Sequence, residues 1–437
     1  MKLVRLCDLT QPRRERASPK GEPDMPFIGM ENIESHSRRV LRFERAGDYK
    51  SDGFRFFPGD ILYGRLRPYL NKVWCADREG ICSGEFIVLP PSKSIDSSLL
   101  AYALSQHDFV CFASDLNRGD RPRVTFEQIG EYELEIPETV EEQKRLAARL
   151  NRITAHLGEV KARLATIPPL LKRSRQSILA AACSGRLTED WRKRKNTEIA
   201  ENIVECIRKR VITEARTPSQ RANAETIYSH SEELDSEELP TEWKFVALDK
   251  LATFTYGTSA KSQKTGEIPV LRMGNLQRGE IDWSDLVFTS DPDEIEKYEL
   301  KPMTVLFNRT NSPELVGKTS IYRGERQAIF AGYLIRINNV PELLPEYLNY
   351  CLNSYEARSW CNQVKSDGVS QSNINAQKLG KFEIPFCSSE EQAEIVRRVR
   401  ILFQQADDIE ARYNKAMAFV DKLMPSILAK AFRGELA

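Results

Sequence analysis

The 437-residue chain has no apolar run approaching the roughly 20 residues that span a bilayer, and its amino terminus, Met-Lys-Leu-Val-Arg-Leu-Cys-Asp, carries no apolar signal region. Both absences predict a soluble cytoplasmic protein with no membrane partner. The nine cysteines are odd in number and form no Cys-x-x-Cys pair. That spacing offers no zinc site, and it favours reduced thiols over a disulfide framework. The histidines, His36, His107, His156 and His230, are far apart and form no His-x-x-x-His pair, so no metal site is expected. Also missing are a Gly-x-x-x-x-Gly-Lys-Ser/Thr phosphate loop, a Gly-x-Gly-x-x-Gly fingerprint and an Asn/Asp-Pro-Pro-aromatic tetrad. No catalytic residue and no cofactor is therefore assigned. Charge of one sign is lacking too, because 64 Lys and Arg face 63 Asp and Glu for a net charge of +1. A polyanionic partner cannot be argued from bulk charge and would need local basic clusters.

What the chain does have is a duplication. Glu141-Glu142-Gln143 opens a segment that passes Ser177-Ile178-Leu179 and closes on Gly185-Arg186-Leu187, while Glu390-Glu391-Gln392 opens one that passes Ser426-Ile427-Leu428 and closes on Gly434-Glu435-Leu436. Each pair is 249 residues apart, with no insertion or deletion between them. Leu146, Leu150, Ile153, Leu157, Val160 and Leu164 recur in steps of four and three, as do Ile395, Val399, Leu402, Ile409, Tyr413 and Val420 with Ala406 and Ala416 between them. This is an a/d heptad seam on an otherwise charged helix, and so narrow a stripe needs a partner helix. Equal length and phase predict that the two helices pair with each other as an antiparallel coiled coil. Pro168-Pro169 should break or kink the first copy and Pro425 the second. Beyond them, Ile178, Leu179 and Ala182, with Ile427, Leu428 and Ala431, should form short terminal helices that either face partners or close a core.

Residues 1–139 hold short apolar or alternating runs at Met25–Ile28, Asp60–Tyr63 and Glu85–Leu89 that read as strands. A helix follows from Leu99, and Leu134-Glu135-Ile136-Pro137 reads as a last strand. Residues 239–388 repeat this plan: Met30-Glu31-Asn32 matches Met273-Gly274-Asn275, Arg65 matches Arg309, and the last strand matches Phe382-Glu383-Ile384-Pro385. The expected fold class is α+β, with two similar mixed domains separated by the long helices and related by a pseudo-twofold internal repeat. The helical regions would be 140–187 and 389–437. Residues 188–238 read as a charged connector, helical where Ile199, Ile203, Ile207 and Val211 recur, and otherwise a surface linker with an acidic stretch from Glu232 to Glu238.

Three stretches are specific enough to point to a family. Leu170 through Leu179-Ala180-Ala181-Ala182-Cys183-Ser184-Gly185-Arg186-Leu187 to Trp191-Arg192 resembles the central conserved region of type I restriction-modification specificity subunits. Ser426 to Leu436 resembles their carboxy-terminal conserved region, and Leu239-Pro240-Thr241-Glu242-Trp243 with Tyr256-Gly257-Thr258-Ser259 resembles the opening of their second target recognition domain. The first domain starts at Lys2-Leu3-Val4-Arg5-Leu6 and departs from the pattern in lacking the Leu-Pro-x-x-Trp opening. The resemblance implies a non-catalytic subunit that binds double-stranded DNA, each domain reading one half of a bipartite, asymmetric site. It also implies that the paired helices act as spacer and dock two modification (methyltransferase) subunits, with separate restriction (motor) subunits cleaving DNA.

Candidate contacts are loop clusters in which Arg and Lys can neutralise phosphate or read guanine and Asn and Gln can pair with adenine. In the first domain these are Arg13 and Arg14; Arg65, Arg67 and Lys72; and Arg118, Arg121 and Arg123. In the second they are Lys261 and Lys264; Asn275 and Arg278; Arg309, Asn311 and Lys318; and Gln371 and Asn373. A helix from Glu141 to Ile167 would measure roughly 40 Å, close to the ~34–36 Å of one DNA turn. The alternative is a non-catalytic coiled-coil scaffold whose globular domains bind protein, which the low net charge favours. Salt dependence of duplex binding separates the two.

Overall fold

In the computed structural model, which describes residues 1–117, 119–195, 198–229, 239–368 and 371–436, strand Lys2–Arg5 lies antiparallel to Glu133–Ile136. The two ends of the first mixed segment are thereby tied together just before the chain enters its first long helix. Leu134 and Ile136 point inward while Glu133 and Glu135 point out, the period of a half-buried strand. Phe27 and Ile28 run parallel to Ile81 and Cys82. Ile61–Gly64 lies between Val73–Cys75 and Phe86–Leu89, antiparallel to both. Ile61–Gly64 and Phe86–Leu89 are buried along their whole length, which is why these runs are continuously apolar and do not alternate.

The second mixed segment repeats the plan. Lys244–Ala247 pairs with Glu383–Phe386, Val270 and Leu271 run parallel to Ile329 and Phe330, and Thr304–Asn308 lies between Thr319–Tyr322 and Leu334–Asn339. The matching asparagines perform one task. Asn32 Oδ1 accepts the Gly29 N–H at 2.6 Å and Asn275 Oδ1 accepts the Arg272 N–H at 2.8 Å, each closing the single turn that follows its strand.

Three long helices carry the repeat: α1 (Val140–Ala165), α2 (Ile167–Cys183) and α3 (Ser389–Phe432). Thr139 and Glu142 cap α1 reciprocally. The expected break falls between α1 and α2, which places Pro168 and Pro169 in a first turn where their missing N–H groups have no intrahelical partner to lose. Pro425 does not interrupt its copy, contrary to expectation. It removes one hydrogen bond, while Leu428, Ala431 and Phe432 beyond it are buried in a core and hold the helix in line. The Glu-Glu-Gln signature has a structural cause as well. Gln143 donates to Pro137 O at 3.1 Å and accepts the Asp96 N–H at 3.1 Å; Gln392 donates to Cys387 O at 2.8 Å and accepts the Leu344 N–H at 2.8 Å.

The chain packs as two compact units, residues 1–167 with 412–437, and residues 168–411. In the first, α1 and the end of α3 run antiparallel, with Thr154 Oγ1 3.9 Å from Met424 Sδ and Lys161 Nζ 2.7 Å from Asp421. In the second, α2 lies against the start of α3, with Arg175 2.6 Å from Asp407, and Arg398 of α3 reaches Asp190, in the short helix beyond α2, at 2.6 Å. Of the predicted seam, Leu150, Ile395, Val399 and Val420 are buried, and Leu146, Ile153, Leu157, Leu164, Leu402 and Tyr413 are half-buried. Val160 and Ile409 are corrections, being 42% and 47% exposed. Each follows or precedes a residue whose charged side chain reaches the facing helix, Lys161 or Glu410, and one helical step turns a side chain about 100° away. The terminal apolar residues close cores: Leu179 and Ala182 in the second unit, Leu428 and Ala431 in the first.

The helix expected in the connector around Ile199, Ile203, Ile207 and Val211 is present, and beyond it the segment read as a surface linker is helical too as far as Ser229. Helix Ala200–Glu214 buries Ala200, Ile203 and Ile207 in the core of the second unit. A further helix, Pro218–Ser229, is tied down by the Tyr228 hydroxyl donating to Lys250 O at 2.6 Å. The acidic stretch Glu232 to Glu238 lies outside the described residues. Among those described, no helix is long and apolar enough to cross a membrane.

Candidate nucleic-acid interface

Strand Ile61–Gly64 delivers Arg65 and strand Thr304–Asn308 delivers Arg309 into the same backbone frame. The Arg65 N–H donates to Glu85 O at 2.9 Å, and its carbonyl accepts the Val124 N–H at 3.0 Å. The Arg309 N–H donates to Tyr333 O at 3.0 Å, and its carbonyl accepts the Ile374 N–H at 2.9 Å. Their predecessors also match, Gly64 bonding Lys72 O at 2.9 Å and Asn308 bonding Lys318 O at 2.8 Å. Leu66 then bridges Arg123, as Thr310–Asn311 pairs with Ser372–Asn373. Each arginine loop is thereby laid against a second polar loop, far away in sequence. Among the described residues both Nε atoms are shielded from solvent without an acceptor, as is that of Arg67. A shielded donor left unpaired costs about 1–3 kcal/mol, and a ligand oxygen could complete the bond.

The surroundings of this shared frame differ. Beside Arg65, Glu85 accepts a bidentate pair from Arg123 at 3.0 and 2.6 Å. Glu127 lies 3.8 Å from Arg14. Its carboxyl is held below the usual range first by a hydrogen bond from its own backbone, then by Thr125, and further by the charges of Arg14 and Arg65. Arg121 is exposed. Beside Arg309 the neighbours are aromatic and amide. The guanidinium sits 4.7 Å over the Tyr256 ring, a cation–π contact. The Tyr256 hydroxyl accepts the Ala376 N–H at 3.0 Å, and Asn373 Nδ2 donates to Thr310 Oγ1 at 2.7 Å. Tyr333, which anchors the Arg309 N–H, is 48% exposed. Tyr256 and Tyr333 were not among the sequence candidates. The Tyr256-Gly257 opening was the only signal available for either.

The structure sorts the remaining candidates. Arg13 is clamped to Asp60, a buried carboxylate, at 2.9 and 3.1 Å. Lys72 Nζ donates to Met30 O at 2.6 Å, and burial pushes its pKa down. Asn275 is buried, with its amide donating to Asp282 O and Asp285 O at 2.9 and 2.8 Å. Arg278 donates to both oxygens of Glu410 at 2.9 and 3.0 Å, and Lys318 donates to Gln277 at 3.3 Å. These five, and Arg123, make hydrogen bonds or ion pairs to other groups of the chain. All of them but Asn275 are exposed or half-exposed, as are Arg14, Arg65, Arg67, Arg121, Lys261, Lys264, Arg309, Asn311, Gln371 and Asn373. Arg118 lies outside the described residues. Among those described, no group of three or more His, Cys, Asp or Glu side chains could hold a metal ion. The side chains gathered around Arg65 and Arg309 offer hydrogen-bond donors and cationic groups.

Comparison with known proteins places this arrangement. The family model described as "Type I restriction modification DNA specificity domain" matches residues 1–167 and 240–417. The specificity subunit of the type I restriction enzyme EcoKI of Escherichia coli K12 is 31% identical over 358 residues, 80% of this chain and 68% of that protein. That of EcoBI of Escherichia coli is 27% identical over 406 residues, 88% and 75% of the two chains. Among solved structures, one from work on the complex assembly and conformational transition of the type I R-M system has a TM-score of 0.73 at 18% identity, covering 100% of this chain and 98% of the other. The HsdS subunit from Thermoanaerobacter tengcongensis has a TM-score of 0.55 at 19% identity, covering 100% and 97%. Two mixed modules in one backbone frame, an internal repeat of long helices and a family match over most of the length agree: the chain belongs to the family of type I restriction-modification DNA specificity subunits.

Proposed function

We propose that each module reads one half of a bipartite, asymmetric DNA site, the first around Arg65 and the second around Arg309. The observation that carries this is the shared backbone frame of the two arginines under unlike side chains. Glu85 and Arg123 flank one, and Tyr256, Tyr333 and Asn373 flank the other. A fixed scaffold with altered loop residues is what two related readers of different sequences require. Arg14, Arg67, Arg121, Lys261, Lys264, Asn311 and Gln371 supply further phosphate or base contacts. The chain itself is non-catalytic and cytoplasmic. Its helices set the number of unread base pairs and dock two modification (methyltransferase) subunits, and separate restriction (motor) subunits join the complex.

Single-molecule sequencing of adenine methylation, in cells expressing the neighbouring modification subunit with and without this chain, tests the reading. A bipartite motif that depends on the chain supports it. No such motif, with the modification subunit shown to be expressed and bound, would favour a scaffold whose domains bind protein.

A further inference from the structure

The loop after each asparagine-closed turn sends an arginine onto the helices of its own unit. In the first unit Arg38 donates to Thr154 Oγ1 on α1 at 3.4 Å, and its guanidinium lies 3.8 Å over the Tyr102 ring. In the second, Arg278 Nη1 donates to Glu410 on α3 at 2.9 and 3.0 Å. Both arginines have left-handed backbones, with φ of 58° and 54°, a conformation a non-glycine residue seldom takes. Glu410 also accepts from Arg175 on α2 at 3.2 Å. One carboxylate thus ties the recognition loop to both helices of its unit. The next residue reinforces the point of attachment, since Gly279 O accepts from Asn349 Nδ2 at 3.0 Å and from the Ile321 N–H at 3.0 Å. The loop cannot swing without breaking contacts to the domain behind it.

We propose that Arg278 is a positioning residue, whose ion pair with Glu410 fixes the angle of the second recognition domain on the spacer helices and with it the distance at which the second half-site is read. The inference rests on the DNA-reading function above. It removes Arg278 from the set of DNA contacts, where its charge and exposure would otherwise put it. The two tethers also differ in kind. Arg278 is 75% exposed at the side chain, so salt weakens its pair. Arg38 has no carboxylate partner among the described residues, and its stacked, mostly buried contact is far less sensitive to salt.

The test uses the full chain in complex with its modification subunit. DNA sites with the native spacer, and with one base pair added or removed, would be methylated by the wild type, R278A, E410Q and the double variant. Both half-sites should still be read. Methylation at the altered spacers, relative to the native one, should rise roughly fivefold in either single variant and no further in the double. The slope of log affinity against log salt should not change. A slope reduced by about one in R278A, with E410Q binding more tightly, would identify Arg278 as a phosphate contact and overturn the proposal. Spacer discrimination equal to the wild type in both single variants would overturn it as well. A wild-type complex that yields no bipartite motif defeats the underlying reading, whereas a normal wild-type motif with unaltered R278A defeats only the positioning role.

Discussion

Arg65 and Arg309 show how one backbone position acquires two specificities. The frame holds each arginine by its N–H and its carbonyl, so its side chain projects from a fixed base while its neighbours are free to differ. Arg65→Ala should erase the definition of one half of the methylated motif and Arg309→Ala that of the other. A lost bidentate contact is worth about 1–3 kcal/mol of discrimination, roughly 5- to 150-fold in relative methylation at the affected base. Asn32→Ala and Asn275→Ala should instead leave the motif unchanged and lower stability by about 1–3 kcal/mol, because each buried amide satisfies backbone of its own loop. Denaturant titration beside motif sequencing separates the two kinds of residue. An acid-sensitive cluster lies in the second unit. Asp190 is held down to about 2 chiefly by its hydrogen bond from Arg398, and Glu394 to about 2 chiefly by Arg397 and then by Arg398. Both values are depressed below the ordinary 3.8 and 4.5, so their contribution is complete above the unfolded values and is lost as pH falls from there toward about 2. Unfolding midpoints measured across that window should fall with pH, and less steeply in Arg398→Ala.

At the scale of elements, the repeated Glu-Glu-Gln is a joint between helix and domain. Gln143 and Gln392 are wholly buried and bond the residue just after the strand that precedes their helix and the N-cap residue of an earlier helix of the same domain. Gln143→Ala or Gln392→Ala would strand buried backbone groups at a cost of about 2–4 kcal/mol, visible as a lowered thermal midpoint. Glu391 adds a joint that Glu142 lacks. It is buried and accepts from Trp243 Nε1 at 2.9 Å and Thr188 Oγ1 at 2.7 Å, with Arg192 completing its coordination, whereas Glu142 caps its helix at the surface. The Trp243 of the Leu-Pro-x-x-Trp opening and the Thr188 and Arg192 that follow the central helix are therefore joined by one carboxylate.

For the whole molecule, near-neutral charge and a polyanionic partner are reconciled by segregation. Many cations are cancelled internally, as Arg13 is by Asp60 and Arg175 by Asp407, while Arg121, Lys261 and Lys264 remain exposed on the recognition loops. Duplex affinity of the assembled complex should therefore fall steeply with salt, which a titration between low and physiological salt would show. Inserting one heptad into both helical repeats adds about 10 Å of helix, or roughly 3 base pairs at ~3.4 Å each. The methylated motif should lengthen in its unread spacer by that amount with both half-sites intact, and an unchanged spacer would rule out the helices as its ruler.

The sequence alone determined the duplication, the helical register, the strand anchors and the family, because fixed offsets and heptad periodicity are written in neighbouring residues. Even the pairing of Arg65 with Arg309 followed from aligned repeats. Only the tertiary structure decided which cations meet a carboxylate of the chain. Arg13 meets its acid 47 residues away and Arg278 meets Glu410 132 residues away, separations that no local pattern encodes. The same holds for Pro425, kept in a helix by a core built from the other end of the chain, and for the packed helices of the connector. Local spacing specifies what an element is, and the partners that neutralise or bury its side chains are chosen only when distant segments meet.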